Sequence, residues 1–169
     1  MSGRKAADFE EFAHAHSGQL LRTACLLTGD WHLAEDLVQE TFGKLFPRWH
    51  RVRAMEAPMA YAHTTLVRTF LSARRLKRWS ERPAESLPET PSPQTHDIDL
   101  RLTLLEGLAR LSPADRAVLV LRYWEDYSVN DTADILRIAP GTVPVRARRA
   151  LGRLRMLLNS ELRDLVAAC

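Results

Sequence analysis

The sequence predicts an all-α protein of two small helical domains joined by a flexible linker, the C-terminal one ending in a helix-turn-helix. Three observations carry this. Apolar residues recur at intervals of three and four through two long blocks, the spacing that places them on one helix face. No stretch alternates apolar and polar residues as a half-buried strand would, and no Asn-Gly or Asp-Gly pair offers a hairpin turn. Between the blocks, ERPAESLPETPSPQT (Glu81 to Thr95) is rich in Pro, Ser and Glu and nearly empty of large apolar groups. Such a segment cannot bury enough surface to fold and reads as a tether. The expected organisation is therefore a first domain at about 8–80, a linker at 81–96 and a second domain at about 97–166.

In the first block, MSGRKAADFEEF is a short charged arm leading into an amphipathic pattern. Leu20, Leu21, Ala24 and Leu27 mark a helix that Thr28-Gly29-Asp30 ends. Asp30 can cap the next, where Leu33, Leu37, Val38, Phe42 and Leu45 recur until Pro47 stops it. Pro58 suits the first turn of a third long helix, carrying Tyr61, Leu66, Phe70 and Leu71 to about Trp79. In the second block, Leu100, Leu104, Leu105 and Leu108 outline a helix ending before Ser112. SPAD at 112–115 combines a capping serine, a proline at the first helical position and an acid three residues on. SVND at 128–131 repeats the serine-to-acid spacing and starts a short helix through Ala133, Ile135 and Leu136. The turn RIAP then leads into GTVPVRARRALGRLR. A short helix, a tight turn and a longer basic helix suggest a DNA-binding helix-turn-helix, although helix pairs also occur in packed bundles.

Composition excludes several classes. At 46% hydrophobic and 27% charged residues the chain matches soluble globular proteins. Its apolar runs fall far short of a membrane span, and the N-terminus does not resemble a signal peptide. Cys25 and Cys169 lie in unrelated contexts and fit neither a redox nor a metal spacing, so a cytoplasmic protein is expected. His14 and His16 point to different helix faces and no Cys or carboxylate cluster completes a site, so no metal is expected. There is no phosphate loop, nucleophile elbow or carboxylate dyad, and neither an enzyme, a cofactor nor a small-molecule substrate is implied. Trp31, Trp49 and Trp124 are expected in core or rim packing.

The net charge of +3 says little about partners; its distribution says more. Basic residues crowd Arg68 to Arg78 and Arg146 to Arg155, whereas acids gather in DFEE, AEDLVQE and YWEDYS. Arg146, Arg148, Arg149, Arg153 and Arg155 have no acid among them, which favours a polyanion partner. Pro144 is the anomaly, because an interior proline costs a helix about 3 kcal/mol. If Ala139 is the cap, Pro144 is fifth in the helix and removes one hydrogen bond. If Thr142 is the cap, Pro144 lies in the first turn, where its missing N–H has no intrahelical acceptor anyway. In both cases the helix survives from about Val145.

Four stretches in order carry a family resemblance: FEEFAHAHSGQLLRTACLLTGDWHLAEDLVQETF, PMAYAHTTLVRTFLSARRLKRW, LARLSPADRAVLVLRYWEDYSVNDTADIL and GTVPVRARRALGRLR. Over about residues 9 to 158 the chain resembles the extracytoplasmic-function (group IV, sigma-70 family) sigma factors of bacterial RNA polymerase, in a SigE-like actinobacterial branch. The resemblance implies core RNA polymerase and promoter DNA as partners, with an anti-sigma factor as a further candidate, and a cytoplasmic protein that joins the nucleoid in holoenzyme. It places core polymerase binding on AEDLVQETF, with Asp36, Gln39, Glu40 and Gly43 as a polar stripe and Leu37, Phe42 and Leu45 as apolar contacts. Val38 and Phe46 are further apolar contacts of that helix.

For the −10 element, read as melted single strand, the resemblance implies Arg51, Arg53, Met55, Arg68, Thr69, Arg74, Arg75, Lys77 and Arg78. Tyr61 and Trp79 are possible stacking platforms, with a core role the alternative for Tyr61. For the −35 element it implies Ser128, Thr142, Val143, Pro144, Val145, Arg146, Arg148, Arg149 and Arg153. The chain departs from the family's pattern at Arg68, where asparagine is usual, at Arg137, where glycine is usual, and at Pro144-Val145, where a basic residue and serine are usual. Arginine only donates hydrogen bonds where asparagine also accepts, so −10 base choice is affected. An apolar Pro144-Val145 pair makes thymine methyls the expected target in the −35 groove. Two other functions fit the residues: a free-standing helix-turn-helix activator, and a degenerate sigma-like interaction protein.

Overall fold

A computed structural model of the protein describes residues 2–75 and 95–167. The chain forms two compact units, Met1–Glu85 and Ser86–Cys169, both built of helices joined by short turns, with no strand among the described residues. The linker expected at 81–96 lies outside the described residues except for its last two positions. The stretch of the third long helix toward Trp79 also lies outside them.

In the first unit, α1 (Ser2–Thr28), α2 (Trp31–Leu45) and α4 (Pro58–Arg75) pack pairwise. Leu20, Leu27, Leu37, Leu45, Leu66 and Phe70 are each less than 2% exposed and fill the space between these helices. Burial of each such side chain stabilises by about 1.5–3 kcal/mol. Gly29 ends α1 in the left-handed region at φ 70°, its N–H donating to the Cys25 carbonyl at 2.8 Å, a conformation that only glycine adopts without strain. Asp30 then caps α2, accepting the Leu33 N–H at 2.9 Å. Pro47 does end α2, but into a 3-10 turn (Phe46–Arg48) and a short helix α3 (Trp49–Val52) that the apolar spacing does not reveal.

The charged arm expected at the N-terminus is instead helical from Ser2. Aromatic packing holds it down. Phe9 meets Phe46, Trp49 and Phe42 edge-on at centroid distances of 5.2, 5.3 and 5.9 Å, and Phe12 lies 4.7 Å from Trp49.

The second unit contains α5 (Thr95–Ala109), α6 (Pro113–Leu119), a π-turn (Val120–Trp124), α7 (Val129–Leu136) and α8 (Thr142–Ala167). Gly107 lets α5 approach α8, since a Cβ there would lie 3.0 Å from Leu154 Cδ1 and 3.3 Å from Leu158 Cδ2. Arg116 is 2% exposed. Its Nη2 donates to the Ala109 and Leu111 carbonyls at 3.0 Å each, satisfying groups that the end of α5 leaves open. Ser112 and Ser128 cap α6 and α7 through the N–H groups of Asp115 and Asp131. Beyond the π-turn, Asp126 sits at φ 55° and Arg122 Nη1 donates to the Tyr127 carbonyl. Trp124, expected in core or rim packing, is 55% exposed beside an exposed Tyr123 at the end of the π-turn.

Candidate functional site

The helix-turn-helix is α7, a turn through Arg137 to Gly141, and α8. Arg137 stands at φ 54°, ψ 46°, the left-handed position that closes α7. Its N–H donates to the Asp134 carbonyl at 3.3 Å, and the Ile138 N–H donates to the Ala133 carbonyl at 3.0 Å. This is the usual pairing at a glycine-terminated helix, here built on arginine. The departure from glycine therefore leaves the turn geometry in place, with the strain carried by one residue.

Thr142 is the first residue of α8 rather than its cap, and Pro144 is the third. Pro144 thus lies in the first turn, where no intrahelical acceptor exists for its missing N–H. The anomaly in the sequence costs the helix no hydrogen bond. From there Val145, Arg148, Arg149 and Gly152, at helical spacing, form an exposed face. Pro144, Arg153, Arg155 and Met156 border it. Val143, Ala147, Ala150 and Leu154 are buried on the other side.

Two expectations for α8 need correction. Val143 is fully buried at 0% exposure and packs in the core of the unit, so it does not meet DNA. Arg146 and Arg153, which have no acid near them in sequence, face one in space. Asp115 of α6 lies with Oδ1 3.9 Å from Arg146 Nε and Oδ2 3.3 Å from Arg153 Nη1. Asp115 was legible only as part of a helix cap; its backbone N–H serves the cap, and its carboxylate turns to α8. Ser128 is exposed but committed, accepting the Asp131 N–H at 3.0 Å and donating to Asp131 Oδ2 at 2.7 Å.

On the first unit, Asp36, Gln39, Glu40 and Gly43 line the exposed face of α2. Glu40 pairs with Lys44 at 3.1 Å, and Lys44 Nζ donates to Thr69 Oγ1 at 3.0 Å. Leu37 and Leu45 are both 0% exposed and Val38 is 7%, so these apolar contacts expected of the helix belong to the core of the unit itself. Phe42 is half-buried in the aromatic cluster, and Phe46 keeps an exposed edge with the Lys5 ammonium 4.9 Å from its centroid. The apolar share of this face therefore reduces to Phe42 and Phe46.

Arg51 of α3 is exposed, as are Arg53, Ala54, Met55 and Glu56 in the turn between α3 and α4. Arg53 Nη1 pairs with Asp8 Oδ2 of α1, an acid of the stretch expected as a short charged arm. Arg68 and Tyr61 are half-buried. Thr69 is 3% exposed and occupied by Lys44, so it is a link between α2 and α4 rather than a base contact. Arg74 and Arg75 lie on the last turn of α4, while Lys77, Arg78 and Trp79 are outside the described residues.

Two groups elsewhere have altered acidity. Burial, then the charges of Asp30 and Glu35, push the Cys25 thiol up to about 11. Burial, then Glu125 and Asp131, push the Tyr127 phenol up to about 12. Both shifts keep the groups neutral, which suits structural rather than reactive roles.

An acidic face on one helical unit and a helix-turn-helix with an exposed basic face on another define a transcription factor that bridges a protein and DNA. Comparison with known proteins places it. The Sigma-70 region 2 family matches residues 12–80 and the Sigma-70, region 4 family matches residues 101–154. The RNA polymerase sigma-E factor of Streptomyces coelicolor is 35% identical over 149 residues, covering 88% of this chain and 84% of that one. ECF RNA polymerase sigma factor SigL of Mycobacterium tuberculosis is 32% identical over 150 residues, covering 85% of each chain. Among solved structures, the sigma factor RpoE in complex with the anti-sigma factor NepR, from Bartonella quintana, is similar at a TM-score of 0.71 and 28% identity, covering 90% of this chain and 97% of that one. The chain belongs to the sigma-70 family, in its extracytoplasmic-function group.

Proposed function

We propose that the protein binds core RNA polymerase and directs it to promoters, with the first unit on the polymerase and the −10 strand and the second on the −35 duplex. In this reading Asp36, Gln39 and Glu40, with Phe42 and Phe46 beside them, form the polymerase contact. Arg51, Arg53, Met55 and Arg68, with Arg74, Arg75, Lys77 and Arg78 beyond them, meet the melted strand. Pro144, Val145, Arg148 and Arg149 enter the major groove, and Thr142 and Ser128 border it. It supplies no catalysis of its own and works in the cytoplasm, at the nucleoid when in holoenzyme. An anti-sigma factor is a further partner, as it is for the Bartonella protein.

The observation that carries the reading is α8, whose inward face is apolar while its outward face is basic and bears an apolar tip at Val145. An acidic stripe on α2 opposes DNA binding and calls for a protein partner, which separates this reading from a free-standing activator. The intact turn at Arg137 and the harmless place of Pro144 speak against a decayed reader. Run-off transcription on a library of promoter fragments with core polymerase tests it directly. The protein should confer start sites that core alone lacks. No core-dependent transcript, with DNA binding retained, would favour the activator instead.

A further inference from the structure

We propose that Asp115 is a positioning residue for DNA reading, drawing Arg146 and Arg153 to the flank of α8 and leaving Arg148 and Arg149 to meet the duplex. The inference rests on the reading of α8 as the −35 helix. Its physical basis is the placement of one carboxylate. Asp115 is the third residue of α6 and is 8% exposed. The serine that caps α6 takes only its backbone N–H, at 3.2 Å, so the carboxylate is left to reach across to α8. There it meets Arg153 Nη1 at 3.3 Å and Arg146 Nε at 3.9 Å. Residues 146 and 153 are seven apart, two helical turns, and so share one side of α8. Arg148 lies across the helix from them, and the exposed Arg149, three residues from Arg146 and four from Arg153, stands beside the pair toward the outward face.

A carboxylate shielded from solvent between two guanidinium groups is screened less by salt than an exposed pair. It also cancels one of the two positive charges. Phosphate neutralisation by cations supplies essentially all sequence-independent DNA affinity. Holding two arginines back therefore lowers binding to every sequence while leaving the groove-facing contacts untouched, and the ratio of specific to non-specific binding rises. Asp115 acts on specificity without touching a base.

The test is Asp115→Asn in the full chain, which keeps the shape and removes the charge. The probe is a 20-bp random-sequence duplex, read by fluorescence anisotropy over a salt series. The variant should bind more tightly, and its log K against log[salt] line should steepen by about one to two units. A merely structural role for Asp115 would weaken binding instead. Glu106→Gln, an exposed site on α5 with the same charge change, should alter the slope by far less. In an Arg146→Ala/Arg153→Ala background, Asp115→Asn should lose its effect. An unchanged slope, or an equal effect in that background, overturns the proposal. The underlying reading is judged separately, by sequencing the duplexes that the wild-type protein retains from a random pool. No enriched sequence would defeat the −35 reading while the slope still judges the carboxylate, and with enrichment present Asp115→Asn should retain a less restricted set.

Discussion

Arg137→Gly should stabilise the second unit, and the structure sets the size of the effect. Arg137 holds a left-handed conformation at φ 54° and ψ 46°, which costs an L-residue with a side chain about 1–2 kcal/mol. Its side chain is exposed, so removing it forfeits little packing. Glycine relieves the strain but adds freedom to the unfolded chain, an opposing effect of about 0.4–1 kcal/mol. The net gain is about 0.5–1 kcal/mol, which for a domain of this size raises the melting temperature by about 4 °C. Arg137→Ala is the control, since it removes the same guanidinium but keeps the Cβ that causes the strain. Thermal unfolding followed by circular dichroism compares the two. If the glycine variant is no more stable than the alanine variant, the left-handed turn does not carry the strain assigned to it.

Three further outcomes follow from the same geometry. Asp36→Lys/Glu40→Lys should abolish assembly with core polymerase, measured by co-elution, while helical content is preserved; co-elution at wild-type affinity would refute the polymerase assignment. Pro144→Lys/Val145→Ser should raise duplex affinity and steepen the salt slope by about one unit, with sequence preference moving away from thymine; anisotropy with the duplexes selected by the wild-type protein checks all three. For Cys25, a thiol raised from 9.0 to about 11 by burial and by Asp30 and Glu35 favours the neutral form in the fold. Its contribution to stability is thus present below 9.0 and lost as pH rises through about 11. Alkylation at pH 8 should be slower than for a free thiol by on the order of a hundredfold, recovering in urea, with peptide mapping separating Cys25 from Cys169.

The helices were legible because their punctuation is local. Asp30, Pro58, Ser112 and Ser128 each mark a start through chemistry confined to one turn, and the structure uses each of them at that start. What escaped was set by residues distant in sequence. Nothing in WHRV announces a helix; Trp49 is buried because Phe9 and Phe12, some forty residues earlier, pack on it. Helical spacing correctly put Leu37 and Leu45 on a face but could not say that the face was the inner one. Thr69 looked available because its partner, Lys44, lies on another helix. The arginines of α8 looked unopposed for the same reason, since Asp115 is thirty-one residues from Arg146 and thirty-eight from Arg153.

The start of α8 shows how these departures act together on DNA chemistry. A helix N-terminus ordinarily offers free backbone N–H groups to a phosphate. Here the Thr142 N–H is taken by the Ala139 carbonyl at 2.9 Å and the Val143 N–H by the Pro140 carbonyl at 3.2 Å. Pro144 has no N–H to give. The first turn therefore presents a ring and, at Val145, methyl groups where a backbone anion site would otherwise stand. With Arg146 and Arg153 drawn to Asp115, the charge left for the duplex on this part of the helix is that of Arg148 and Arg149, a turn further along. On the proposed −35 reading, phosphate attraction is weakened at the tip of the helix and moved toward its middle, and discrimination falls to the exposed apolar pair Pro144 and Val145.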